Sequence, residues 1–210
     1  MPHVADTIAR PIETESEVSR SRFLTRLERV ESEQAAREVI ASVRGQHPRA
    51  RHHCSAFVLG PGQQTRRSND DGEPSGTAGA PMLDVLVAAE LSDVVAVVTR
   101  YFGGVLLGAG GLTRAYRAAV AGAVAEAQRM RREFRVEMSV RASYELAPQL
   151  ESEARRLGFH IGAAEYGEDV QLQLLVPEAQ RDTAATMVRE LSAGSSTFTF
   201  GDPVVVDVAP

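Results

Sequence analysis

Apolar and polar positions change their period several times along this chain. From Arg22 to Val30, Phe23, Thr25 and Leu27 alternate with Arg22, Arg26 and Glu28, which predicts a half-buried strand. Ser32 is a helix N-cap candidate, and Ala36, Val39, Ile40 and Val43 follow at helical spacing. That helix is expected to end near Gly45, ahead of Pro48. His53 to Leu59 reads as a second strand. Residues 68–80 are dense in turn formers, and Pro81 suits the first turn of a helix that buries Met82, Leu83, Leu86 and Val87. Val94 to Tyr101 is almost wholly apolar, as a central strand should be. A glycine-rich stretch then leads into a helix from Leu112 to about Arg129.

Beyond Arg132 the pattern changes. Phe134, Val136, Met138 and Val140 alternate with charged and polar residues, giving a strand with one wet face. Leu150, Ala154 and Leu157 mark a short helix that stops at Gly158. Phe159 to Tyr166 and Val170 to Val176 are strands. Pro177 opens a helix carrying Ala184, Met187 and Leu191, Gly194 closes it, and Thr197 to Val208 is a last strand. The order β-α-β-β-α-β is the ferredoxin-like plan. The expected organisation is therefore α+β, with one domain over residues 1–132 and a ferredoxin-like domain over residues 133–210.

Charge sharpens this division. The 210 residues have a formal net charge of −5. Up to Arg135 there are 18 arginines against 16 acidic residues, a net of +2, and beyond it 5 against 12, a net of −7. The second half is thus poorly suited to a broad nucleic-acid surface, which needs cations. Every basic residue among the 23 lysines plus arginines is arginine, which favours forked contacts to anions. No apolar run approaches the roughly 20 residues needed to span a bilayer, so no membrane association is expected. Residues 1–20 lack the apolar stretch of a secretory signal. Cys54 is the single cysteine, which excludes an internal disulfide and suits a reducing cytoplasm.

Two segments carry candidate chemistry. Gly103, Gly104, Gly108, Gly110 and Gly111 precede or open a helix, where clustered N–H groups and the helix dipole favour an anion. Arg100 before them and Arg114 and Arg117 after them are candidate partners of that anion. The rival reading is a tight strand-to-helix connection that needs only small residues. A Walker A loop is excluded by the missing lysine, and a dinucleotide fingerprint by Thr113 where a glycine is required. The other segment holds Ser68, Asn69, Asp70, Asp71, Gly72, Glu73, Pro74, Ser75, Gly76, Thr77 and Gly79. Asp70, Asp71 and Glu73 can act as Mg²⁺ ligands or as a general base, or can bond their own turn. His53 is a candidate acid/base group lining the cleft. His47, His52, His53 and Cys54 lack the paired spacing of a zinc site, so no metal site is assigned. Arg129, Arg131, Arg132 and Arg135 read as cations at a helix C-terminus, with a small phosphate-backbone contact as the alternative. Tyr101, Phe102 and Tyr116 suit either the core or stacking on a base.

The motifs Ser21-Arg22-Phe23, Ala50 to Cys54, Ser68 to Gly79, Arg100 to Leu112 and Ala115-Tyr116 occur in fixed order. Together they resemble the IMPACT family in its bacterial, YigZ-type branch, over nearly the whole chain. The resemblance implies a first domain with the fold of the second domain of the small-subunit ribosomal protein S5. It implies a ferredoxin-like second domain similar to the last domain of elongation factor G. Eukaryotic members are translational regulators with an extra N-terminal partner-binding domain that this chain is expected to lack. Arg114 stands where relatives often have lysine, and the positive charge is kept.

Three function classes follow. The first is a non-enzymatic protein of the translation machinery that binds a ribosome or RNA phosphate at one cleft made from both glycine-rich segments. The second is an enzyme acting on a phosphorylated small molecule through Mg²⁺ and Asp70, Asp71 or Glu73. The third is an adaptor that holds a protein partner on the acidic second domain. No complete catalytic constellation is present in the sequence, which favours the first class.

Overall fold

The computed structural model describes residues 4–208. The outermost ends of the two expected domains, residues 1–3 and 209–210, lie outside the described residues. The elements run β1 (Thr7–Ile8), β2 (Ile12–Val18), β3 (Ser21–Arg29), α1 (Glu33–Gln46), β4 (His52–Leu59), β5 (Thr65–Asn69), α2 (Gly79–Ala88), β6 (Val94–Tyr101) and α3 (Gly108–Glu126). Then follow β7 (Arg129–Ala142), α4 (Ala147–Arg156), β8 (His160–Tyr166), β9 (Val170–Pro177), a single 3-10 turn, α5 (Arg181–Leu191) and β10 (Thr197–Val208). The fold is α+β. One compact unit extends to Arg132 and takes in Asp207, and the other is Glu133–Val206.

The first unit is built on an antiparallel sheet of order β2-β3-β6-β4-β5. β6 is central and buried on both faces, which is why Val94 to Val98 need no polar alternation. On one face Val95, Val97, Phe57 and Leu59 pack with Ala36 and Val43 of α1. On the other, Phe23, Leu27, Val58 and Val98 pack with Met82 and Leu86 of α2 and with Leu112, Tyr116 and Val120 of α3. Ser32 caps α1 as its position suggests, accepting from the Ala35 N–H at 3.1 Å.

Several boundaries differ from the pattern. β2 and β5 are edge strands with mostly exposed side chains, so they carry no hydrophobic run to betray them. The β2–β3 hairpin turns through Ser19 and Arg20, at φ of 49° and 66°, a left-handed pair that usually calls for Asn-Gly. α3 begins at Gly108, four residues earlier than the spacing predicts, so Gly110 and Gly111 lie in its first turn. It ends at Glu126, and the arginines read as a helix C-terminus instead lie in β7. Arg132 is buried there, donating to the Ala5 carbonyl at 2.8 Å and to Asp93.

The second unit carries the strand order β8-β9-β7-β10. Met138, Val140, Leu172 and Leu174 face α4 and α5, meeting Leu150, Ala154, Ala184 and Val188. The opposite face of β7 and β9 is polar, with Ser139 beside Gln173 and Arg141 beside Gln171. Arg135 is buried in this unit and donates to the Gly158 and Leu175 carbonyls.

Candidate anion-binding site

The two glycine-rich segments precede the two helices that cover one face of the first unit's sheet. In the earlier one each carboxylate has a separate structural task. Asp70 accepts from the N–H groups of Gly76 at 2.8 Å, Ala78 at 3.0 Å and Gly79 at 2.8 Å, so it plugs the N-terminus of α2. Burial raises the Asp70 pKa, but the three amide donors outweigh it and hold the carboxyl below its usual range. Asp71 accepts from the His53 N–H and from Arg44, each at 2.7 Å, and donates its own N–H to Asn69 Oδ1. Its pKa too is lowered, because these donors exceed the effect of burial. Glu73 turns inward and accepts from Arg100 at 2.8 Å and from the Tyr116 hydroxyl at 2.7 Å. Glu73 is 8% exposed and Arg100 7%, so this ion pair is shut away from water.

The three carboxylates therefore diverge and do not present themselves to one Mg²⁺. Among the described residues, no group of three His, Cys, Asp or Glu side chains is placed to hold a metal ion. His53, expected to line a cleft, is 4% exposed, with its Nε2 against the His47 carbonyl at 3.2 Å. Burial lowers its pKa and keeps the ring neutral near pH 7. Burial also pushes the Cys54 thiol up to about 12, which leaves it without nucleophilic character. Thr77 donates its hydroxyl to the Pro74 carbonyl at 2.6 Å. Ser68 near the end of β5, and Ser75 and Gly76 in the loop that follows, are exposed.

The later segment is organised differently. A Cβ at Gly103 would stand 2.0 Å from the carbonyl carbon of Arg20, so only glycine lets the loop pass the β2–β3 turn. Gly108 opens α3 at φ +67°, its N-cap Leu107 makes no side-chain cap hydrogen bond, and among the described residues no side chain accepts from its first-turn amides. Its first-turn amides are thus free to meet an external acceptor. Arg114 bends back toward them, its Nη1 3.5 Å from where a Gly110 Cβ would be. Arg114 is exposed and makes no hydrogen bond or ion pair among the described residues. Arg100 is sealed behind Glu73 and is not open to the anion as the sequence suggests, while Arg117 pairs with Asp84 at 2.9 Å on the surface. Both pairings have one cause: acidic partners distant in sequence lie close in space.

Glu73 ties the base of the first segment to Arg100 and Tyr116, which flank the second. Sequence reasoning missed this role for Tyr116, and it missed Arg44 altogether. It also missed that Phe102, Val105 and Leu106 are exposed, Leu106 by 88%. Three large apolar residues interleaved with glycines were the available signal.

The chain matches the Impact N-terminal domain over residues 19–124 and a Domain of unknown function (DUF1949) over residues 140–195. It is 39% identical to the IMPACT family member YvyE of Bacillus subtilis (strain 168) over 209 residues, covering 100% of this chain and 96% of that protein. This chain belongs to the IMPACT family. It is also 35% identical to the family member YigZ of Escherichia coli (strain K12), over 89% of this chain and 93% of that one. A crystal structure of a hypothetical protein aligns with a TM-score of 0.66 at 34% identity, covering 94% of this chain and 97% of the other. Both glycine-rich segments, with Arg44, Arg100, Arg114 and Tyr116, fall inside the Impact N-terminal match. The other match lies within the second unit. Among the described residues, no helix of this IMPACT protein is long and apolar enough to cross a membrane.

Proposed function

We propose that this IMPACT protein is a non-enzymatic binding protein of the translation machinery, working in a reducing cytoplasm, that holds a ribosomal or RNA phosphate at the N-terminus of α3. The observation that carries this reading is the α3 start without a side-chain cap beside Arg114, which has no partner among the described residues. An oriented set of amides with one free guanidinium is a phosphate-binding arrangement. The catalytic alternative is weakened because Asp70, Asp71 and Glu73 are each spent on internal donors. The link to translation is an argument by resemblance of fold. The strand order β8-β9-β7-β10 supports the ferredoxin-like reading of the second domain. A protein-adaptor role for the second domain has one observation in its favour. Tyr144 and Tyr166 lie 6.1 Å apart, both more than half exposed, on the acidic unit.

Co-sedimentation with ribosomes at low and moderate salt tests the first reading. Binding should fall with salt, and Arg114→Ala should weaken it and reduce the salt slope by about 1. The folded stability of that variant should stay within about 0.5 kcal/mol of the parent, because the side chain is exposed. If the parent fails to sediment with ribosomes at any salt, the translation role is wrong. Equal binding by both proteins moves the contact away from α3.

A further inference from the structure

A second surface lies wholly within the second unit, where the chain leaving β7 meets the turn between β8 and β9. Tyr144 donates its hydroxyl to the Gly167 carbonyl at 2.8 Å, which braces its ring against that turn. Tyr166, the last residue of β8, stands beside it, with ring centroids 6.1 Å apart and planes tilted by 39°. Tyr144 is 54% exposed and Tyr166 67%. Singly exposed apolar side chains are ordinary, but two adjoining rings braced in place form a ready contact for a partner.

The charge around the rings restricts that partner. A shallow cavity of about 320 Å³ is lined by Glu165, Tyr166, Glu168 and Asp169, with Arg141 and Gln171. Glu165 and Glu168 are exposed, and their carboxylates have no partner among the described residues. Asp169 reaches Arg141 only at 4.0 Å, with both side chains at least half exposed. Three carboxylates thus face one guanidinium, in the half of the chain that carries a net of −7. A nucleic acid would bring phosphates against these carboxylates. A wholly apolar partner would strip them of water and offer nothing in return.

The same unit shows what completes such a surface. Phe198 and Phe200 of β10 form a comparable ring pair, 5.9 Å apart. Each lies under an arginine of α5, Arg189 over Phe198 at 5.2 Å and Arg181 over Phe200 at 4.5 Å. Among the described residues, no arginine stands over Tyr144 or Tyr166. This pair has the ring faces and the free carboxylates that hold a guanidinium, and the chain supplies none.

We propose that this surface docks an arginine of a partner protein, its guanidinium stacked on Tyr166 and bonded by Glu165 and Glu168. The proposal rests on the adaptor reading of the second domain and names what the partner presents. It uses none of the α3 groups.

The test is a titration of the isotope-labelled full chain followed by amide chemical shifts. The probe is a five-residue peptide, blocked at both ends, with arginine at its second and fourth positions. Matching peptides carry lysine, leucine or glutamate there. The arginine peptide should move the amides of Tyr144 and of residues 165–171 and saturate at millimolar concentration. The lysine peptide should bind about threefold more weakly, because an ammonium neither stacks flat on a ring nor forks between two carboxylates. Tyr166→Ala, which keeps every charge, should weaken the arginine peptide about threefold to fivefold. Glu168→Gln, which keeps both rings, should weaken it about twofold. Neither change removes a side-chain hydrogen bond or ion pair found among the described residues, so both variants should fold as the parent does. Equal binding of the arginine and lysine peptides overturns the proposal, and so does unchanged affinity in Tyr166→Ala, which would mean general charge attraction. If the leucine peptide moves the same amides as strongly, the surface holds a partner without using arginine, and the proposal falls while the adaptor reading stands. If no peptide moves them, both fall at this surface.

Discussion

The starts of α2 and α3 are alike in sequence and opposite in state. Each is a glycine-rich passage into a helix on the same face of one sheet. At α2 the first amides are filled by Asp70, a residue of the same loop. At α3, among the described residues, no side chain caps the helix, and the loop before it exposes Phe102, Val105 and Leu106. The lesson is that glycine content announces a helix start able to bind an anion but does not say whether the protein supplies that anion itself. A carboxylate eight or nine residues upstream decides it, and only the path of the loop brings that carboxylate home.

The largest expected effect comes from the residue that joins the two regions. Glu73→Ala removes the carboxylate paired with Arg100 and leaves a buried guanidinium without that counter-charge, at a cost of about 3–5 kcal/mol. Urea denaturation measures it, and a loss below 1 kcal/mol in that experiment, on the order of a surface change, means that the pair is not a structural tie. Next is Asp70→Ala, which unplugs α2 and should cost about 2 kcal/mol, with faster amide exchange at Gly76, Ala78 and Gly79. Unchanged exchange there would show that the amides find water as readily as the carboxylate.

Acid should act on the earlier segment before the later one. His53 has a lowered pKa in the folded chain, so on acidification the unfolded chain takes up that proton first. Stability from this source is complete above the ordinary histidine value, about 6.5, and declines as pH falls below it. Asp70 and Asp71 are also depressed, and their contribution is present above the ordinary aspartate value, about 3.9, and lost as pH falls through the folded values. Both run the same way, so denaturant midpoints should fall in two stages between neutral pH and strong acid. Asp70→Asn should shrink the lower stage and leave the upper one. The α3 start, whose residues Gly103 to Leu112 include no titratable side chain, should bind the proposed anion with little change until the fold itself yields.

The smallest effect on stability carries the sharpest functional reading. Ala109→Asp supplies α3 with an internal carboxylate in its first turn, imitating α2. It should raise stability by about 0.5 kcal/mol and abolish salt-dependent ribosome binding. Retained binding would separate the contact from this helix start.

Much of this was legible without coordinates. Core-forming elements such as β3, β6 and α1 show their buried faces in the period of their apolar residues, because burial on one or both faces fixes which positions must be apolar. β2 and β5 were hidden because edge strands in water have no such demand. The glycine-rich segments were visible for the same reason that they matter: backbone close approach and positive φ restrict a position to glycine, as at Gly103 and Gly108.

By itself the sequence determined the order of the elements, the acidic second half and the two loops where backbone amides gather. Tertiary structure alone decided which charges remain free. Arg100, Arg117 and Arg114 look equivalent as cations around one loop. Glu73 lies 27 positions from Arg100, and Asp84 lies 33 from Arg117, and folding brings each pair into contact while Arg114 meets no partner among the described residues. Electrostatic pairing depends on distance through space, and a linear chain does not carry that distance until its cores have formed.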